Sequence, residues 1–315
     1  MGKILITAKI NPDLDGVACA YAYAVFLNSV DKENEYTAGI YGQPFIEARY
    51  LLDKFNIKEG LVFNPKTEFD KFILVDASEL DGMPEVIRAH DVIEVIDHRS
   101  INRAAEIFPQ AKIQIEEVGA AATLIFEKIK AAGLSLDRNG ACLLLGAIYS
   151  NTLNFLSSIT DQRDRDTVKI LKDNYQKEIP DNLIEEMLAY KSEYIKNNLP
   201  ECIFSDFKNF PAQNNLGIAQ LEAFDLDTII KEKLSEIKEI LSELKNNYGS
   251  NYIFLTAADL KNGYNIFVTI DEPSETLLSQ SLGLSFNKEG TAKNKKLLLR
   301  KQILPLLINH LYLKY

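Results

Sequence analysis

Short apolar, β-rich runs alternate with longer helical patterns through the first half of this sequence, and that alternation leaves few folds open. Lys3 to Thr7 reads as a strand, and a helix follows over roughly Gly16 to Leu27. Phe72 to Val75 and Val92 to Ile96 read as two more strands, with Ile113 to Ile115 as a fourth. Helical patterns cover Gly119 to Ala132, Leu136 to Tyr149, Arg163 to Lys172 and Pro180 to Lys196. Strands separated by helices pair in parallel, because each crossover returns the chain to the same end of the sheet. The expectation is α/β: an N-terminal doubly wound, mainly parallel sheet with helices on both faces, and a smaller α+β C-terminal domain.

Asn197, Asn198 and Pro200 break the helical pattern, which sets the expected domains at 1–196 and 201–315. A chain of 315 residues has room for two domains at about 150 residues each. The second half has strand-like runs at Leu216 to Leu221, Tyr252 to Thr256 and Tyr264 to Thr269. A charged amphipathic helix is expected over Thr228 to Asn247, and a last helix over roughly Lys296 to Leu313 with Pro305 as a kink.

Charge and cysteine use narrow the function. The net charge of -10 argues against coating nucleic acid. No apolar run reaches the ~20 residues of a membrane helix, and the N-terminal MGKILITAKI has no signal-peptide core. Three scattered cysteines in apolar surroundings (Cys19, Cys142, Cys202) fit reduced, buried thiols, and so a cytoplasmic location.

In an open parallel sheet, ligands bind at the carboxyl ends of the strands. Here those ends carry acids: Asp13 and Asp15 after the first strand, Asp76 after the second, and Asp97-His98-Arg99 after the third. Clustered carboxylates repel one another unless a cation offsets them. With only three histidines in the chain (His90, His98, His310), a metal site must rest on carboxylates. Oxygen ligands with one imidazole suit Mn²⁺ or Mg²⁺ better than zinc. The plainer alternative makes Asp13 and Asp15 helix caps and Asp76 a turn residue.

Asn11-Pro12-Asp13-Leu14-Asp15-Gly16 resembles the first signature of the DHH phosphoesterase superfamily. Asp76 resembles its second motif, Ile96-Asp97-His98-Arg99 its Asp-His-His motif, and Leu145 to Thr152 its fourth. The nearest branch is the manganese-dependent, or family II, inorganic pyrophosphatases. Their C-terminal phosphate-binding features are resembled by Asp206-Phe207-Lys208 and by Arg300-Lys301-Gln302. The resemblance spans Lys3 to Pro305. It implies a two-metal hydrolase in which one site uses positions 9, 13 and 76 and the other uses Asp15, Asp76, His98 and Asn151. Water activated by the metals would attack phosphorus, and Lys208, Arg99, Arg300 and Lys301 would hold phosphates. It also implies a homodimer.

The departures from that pattern matter as much. Lys9 stands where the family has a histidine, Arg99 replaces the second histidine of the Asp-His-His motif, and Asn151 replaces a metal-binding Asp. The C-terminal Ser-Arg-Lys-Lys-Gln pattern is blurred to Leu298-Leu299-Arg300-Lys301-Gln302. An ammonium has no lone pair for a metal. Lys9 is therefore expected to act as a fixed cation in place of one metal, its tip on Asp13 or a phosphate. That leaves one strong Mn²⁺ (or Mg²⁺) site near Asp76. Arg99 would keep anion binding while removing a proton donor.

Two functions follow. The first is a metal-dependent phosphohydrolase acting on pyrophosphate or a related phosphoanhydride between the two domains. Its catalytic residues would be Asp13, Asp15, Asp76 and His98, its metal ligands those four with Asn151, and its phosphate contacts Lys9, Arg99, Lys208, Arg300 and Lys301. The second is a catalytically degenerate DHH-fold protein that binds a phosphorylated small molecule without efficient hydrolysis. A nuclease is disfavoured by the acidic charge and the small second domain.

Overall fold

The computed structural model describes residues 2–99 and 102–312. They form two compact units, Met1–Met187 and Leu188–Tyr315. In the first, β1 (Gly2–Thr7), α1 (Leu14–Val30), β2 (Asn34–Ile40), α2 (Ile46–Lys54), β3 (Leu61–Phe63), β4 (Lys71–Val75), β5 (Val92–Asp97), α3 (Ala104–Ile107) and β6 (Lys112–Ile115) follow in order. They are succeeded by α4 (Ala121–Ala131), α5 (Arg138–Asn151) and α6 (Gln162–Asn174). The division between the units falls inside α7 (Leu183–Asn197).

The first sheet has the order β3-β2-β1-β4-β5-β6 and is parallel throughout. The chain reverses its direction of strand addition between β1 and β4, so the loops leaving those two strands part and open a crevice at their carboxyl ends. Leu5, Phe72, Leu74, Val95 and Phe108 form a buried core with Met83 and Ile87. Helix α1 is buried at every position from Leu14 to Ala24, and it packs on α4 and α5 as well as on β1 and β2. A helix enclosed on all sides needs small residues for neighbours to approach, and Ala18, Cys19, Ala20, Ala22 and Ala24 supply them.

Two strands had no clear signal in the sequence. β2 begins Asn34-Glu35 and is only half-buried over its first residues, so it lacks an apolar run. β3 has three residues, two of them exposed, as suits a short sheet edge.

In the second unit come α8 (Leu199–Ser205), β7 (Phe207–Phe210), β8 (Leu216–Ala223), α9 (Leu226–Tyr248), β9 (Tyr252–Asp259), β10 (Tyr264–Thr269), α10 (Glu272–Leu282), β11 (Thr291–Asn294) and α11 (Arg300–Tyr312). The sheet order is β11-β10-β9-β8-β7; only the β8–β9 pair is parallel. Neighbouring residues point to opposite faces, and both faces are covered. Ala219, Leu255 and Val268 pack with Ile237 and Leu241 of α9. Ile218, Phe254 and Phe267 pack with Leu278 of α10 and Ile303 and Leu307 of α11. That explains the near-continuous apolar runs in β8 to β10. The last helix starts at Arg300 rather than Lys296, with Pro305 inside it, and its expected end at Leu313 lies outside the described residues. No described helix is long and apolar enough to cross a membrane.

Candidate functional site

The loop from β1 into α1 carries the first two acids. Asn11 adopts a left-handed conformation (φ 55°), and its Oδ1 accepts the Gln43 N–H at 2.8 Å, which fixes the turn. Asp13 is the N-cap of α1; its Oδ1 accepts from the N–H groups of Asp15 (3.0 Å) and Gly16 (3.1 Å). Gly16 is required by close packing. A Cβ there would lie 2.6 Å from Ala8 Cβ and 3.2 Å from Pro12 Cβ, so a side chain would push α1 off the end of β1.

Asp15 is fully buried one residue into the helix. Its two oxygens accept the N–H groups of Ala121 (2.7 Å) and Ala122 (2.8 Å) at the start of α4. That helix has Ala120 at its N-cap with no side-chain cap of its own. Its orphan donors and the positive end of its dipole are thus answered by a carboxylate from far upstream. The Cys19 thiol, 3.4 Å from Oδ1, and the Asn151 amide, 2.6 Å from Oδ2, also donate to Asp15.

Asp76 leaves β4 in the left-handed region (φ 50°), its N–H donating to Ile96 at 2.9 Å. Asp tolerates this conformation better than most residues, though it is a strained one of the kind concentrated at functional sites. His98 follows β5. Its Nδ1 is 3.0 Å from the Val118 carbonyl, which fixes Nδ1 as the donor and turns Nε2 toward the carboxylates. Nε2 lies 3.4 Å from Asp76 Oδ1 and 3.9 Å from Asp15 Oδ2.

Electrostatically the cluster is short of cation. Burial, then the charge of Asp76, raises the Asp13 carboxyl from its ordinary 3.8 to about 7. Burial raises Asp15 to about 6 in spite of His98 and the α4 donors. Asp76 is also raised, chiefly by burial. Burial pulls the His98 imidazole down, but its bond to Asp76 and the charges of Asp15 and Asp76 outweigh that and lift it to about 10. A divalent cation would relieve the carboxylates and displace the imidazole proton. The donors present fit one. Asp15, Asp76 and His98 each offer a ligand atom, all within 4.8 Å of one another, and His98 has its outward nitrogen already tied down.

Asn151 reaches the cluster, but with its amide donating to Asp15 where a carboxylate would offer a ligand oxygen. Lys9 is half-buried with its stem alongside Gly82, and among the described residues it pairs with no carboxylate, Asp13 included. The Arg99 side chain is 39% exposed and lies beside Asp97, its Nε 3.8 Å from Oδ2, outside the cluster. In the second unit, Lys208 and Lys301 are exposed. The Arg300 guanidinium is engaged in the fold: it pairs with the Asp206 carboxylate and donates to the Asp206 and Ile218 main-chain carbonyls. Nearby, Lys293 sits over the Tyr264 ring and pairs with Asp227.

Several participants carried no motif. Glu47, buried in α2, accepts the Ser150 hydroxyl at 3.2 Å and raises Asp13 through its charge. The Val118 carbonyl and the α4 N–H groups are main chain, which residue type cannot reveal. One hint was legible: Gly119-Ala120-Ala121-Ala122 opens a helix with no capping side chain, so its donors need a distant acceptor.

The first unit is a parallel α/β sheet with two carboxylates and one imidazole converging at its switch point, and the second is an α+β unit with a mostly antiparallel sheet. Comparison with known proteins carries this further. Residues 3–148 match the DHH family, N-terminal domain, and residues 185–309 match the DHHA2 domain. A protein of Shouchella clausii that carries the name "Probable manganese-dependent inorganic pyrophosphatase" is 30% identical over 269 residues, covering 83% of this chain and 84% of that one. The manganese-dependent inorganic pyrophosphatase of Methanothrix thermoacetophila is 26% identical over 304 residues, 96% of each chain. A crystal structure from Methanococcus jannaschii, named as a family II inorganic pyrophosphatase, superposes with a TM-score of 0.68 at 25% identity, over 98% of this chain and 99% of that one. The chain belongs to the DHH phosphoesterase superfamily, in the family of the manganese-dependent inorganic pyrophosphatases.

Proposed function

We propose that this chain is a divalent-metal-dependent phosphohydrolase acting on a phosphoanhydride, with pyrophosphate as the first candidate, and that it holds one strong metal site. The observation that carries this is the gathering of Asp15, Asp76 and His98 within 4.8 Å at the switch point of a parallel sheet. The manganese dependence and substrate in the relatives' names support it. When bound, a divalent cation supplies Lewis-acid charge and lowers the pKa of water.

The chain's own residues do the rest. Asp15 is held rigidly by the α4 donors, and His98 by Val118. Asp13 uses Oδ1 as the α1 cap, while Oδ2 accepts no hydrogen bond among the described residues. That second oxygen is placed to accept a proton from an attacking water. Exposed Lys208 and Lys301, with Arg99, are the candidate phosphate contacts. Lys9 has no carboxylate partner among the described residues, so its ammonium is available to an anion.

The test is phosphate release from pyrophosphate with Mn²⁺, against a chelator control and Asp76→Ala. Release requiring both metal and Asp76 supports the reading, and none from folded protein sinks it. One observation favours the binding alternative: the Asn151 amide occupies an Asp15 oxygen. A Lys9→His, Asn151→Asp double variant separates the two. Mn²⁺-dependent turnover raised above that of an active wild type marks a hydrolase working with one metal, and no turnover in either protein marks a site reshaped for binding.

A further inference from the structure

Asp164 is fully buried and lies outside every motif used above. At the start of α6 it completes a capping box with Asp161, its Oδ2 accepting the Asp161 N–H at 2.7 Å. A local cap needs no more than this. Yet the same oxygen accepts the Gly119 N–H at 2.8 Å, and Oδ1 accepts the Thr123 hydroxyl at 2.6 Å. Burying a carboxylate is costly unless donors surround it, and here they come from a segment more than forty residues upstream.

That segment is the one the candidate metal centre leans on. Between Val118 and Thr123 lie the carbonyl that orients His98 and the two N–H groups that hold Asp15. The approach is close enough to require glycine: a Cβ on Gly119 would stand 2.4 Å from Asp164 Oδ2 and 2.5 Å from Thr152 Cγ2, beside Asn151. Val118, Ala121 and Ala122 contact the ligands, and Gly119 and Thr123, each next to one of them, contact Asp164.

We propose that Asp164 is a positioning residue for the metal centre: it clamps residues 118–123, and through them sets the orientation of His98 Nε2 and the placement of the Asp15 carboxylate. This rests on the metal-site reading above and adds to it the residue that holds two ligands in register.

The first readout needs no metal. The chain has three histidines, so ¹⁵N-histidine labelling resolves each ring. Asp164→Ala should shift or broaden the His98 Nδ1 signal and leave His90 and His310 unchanged. The second readout is Mn²⁺ uptake followed by EPR at a temperature where every variant is folded. Loss of an outer partner of a ligand typically weakens metal affinity roughly 10- to 100-fold, and that is the change expected for Asp164→Ala. Asp164→Asn should restore most of the affinity, because its oxygen can keep the two N–H donors while its amide donates to Thr123 Oγ. Asp161→Ala removes only the local cap of α6 and should leave both readouts near wild type.

If Asp164→Ala does not fold, Thr123→Val, which removes one of the three bonds, should give a smaller change in the same direction. Unchanged His98 signal and Mn²⁺ affinity in folded Asp164→Ala would overturn the proposal, as would an equal loss in Asp161→Ala. If wild-type protein takes up no Mn²⁺, the metal-site reading fails, and the clamp stands or falls on the His98 signal.

Discussion

Asp13, Asp15, Asp76 and His98 share one electrostatic problem, and it predicts how the protein responds to pH. The native state without metal holds Asp13 and Asp15 above their ordinary 3.8, at about 7 and about 6. From about pH 4 to 7 it therefore binds more protons than the unfolded chain, and stability falls as pH rises through that window. His98, raised from 6.5 to about 10, acts in the same direction from about pH 6.5 upward. Chelator-treated protein is expected to melt at progressively lower temperature from pH 5 to 9. Saturating Mn²⁺, which needs deprotonated ligands, should raise the melting temperature most at the alkaline end. Scanning fluorimetry across pH with and without Mn²⁺ checks this, and a metal-free profile that rises over the range would contradict it. In Asp76→Ala the Mn²⁺ effect should be lost.

Among elements, α1 and α4 decide whether the site forms. Each delivers its part only by close approach: α1 through Gly16 against Ala8 and Pro12, α4 through main-chain N–H groups against Asp15. Gly16→Ala places a Cβ 2.6 Å from Ala8 Cβ, so the helix must shift, at a cost of about 1–3 kcal/mol for overpacking. Since α1 also carries Asp15, the same shift should weaken Mn²⁺ binding. Urea unfolding and Mn²⁺ titration of the variant measure both, and an unperturbed affinity would show that α1 can yield without moving its acid. Arg300 illustrates the opposite case. Its basic type and position resemble a phosphate contact, but much of its donor capacity is engaged by Asp206 and by main-chain carbonyls.

For the whole molecule, each unit has its own sheet and its own core. All the residues that converge on the candidate metal centre belong to the first. Mn²⁺ at about 100 times its Kd should stabilise the native state by about 2.7 kcal/mol. Amide exchange should then slow around β1, α1, β4, β5 and the start of α4, with β8 to β10 little changed. Protection that appeared first in β8 to β10 would place the strong cation site elsewhere.

The class of fold and the address of the acids can be read from residue order alone. Alternation of apolar runs with helical patterns specifies a parallel sheet, and acids just past β1, β4 and β5 must share its carboxyl edge whatever the details of packing. Asp15, Asp76 and His98 were legible for that reason. Strands β2 and β3 were not, because a half-exposed or three-residue strand carries almost no periodic signal. What the side chains do once they are together depends on the folded arrangement. It points the Asn151 amide at Asp15, leaves Lys9 without a carboxylate partner among the described residues, and turns His98 by a main-chain carbonyl. It also brings Asp164 to the segment that holds two of the ligands. Those outcomes depend on groups distant in sequence, and on backbone donors and acceptors that every residue carries alike.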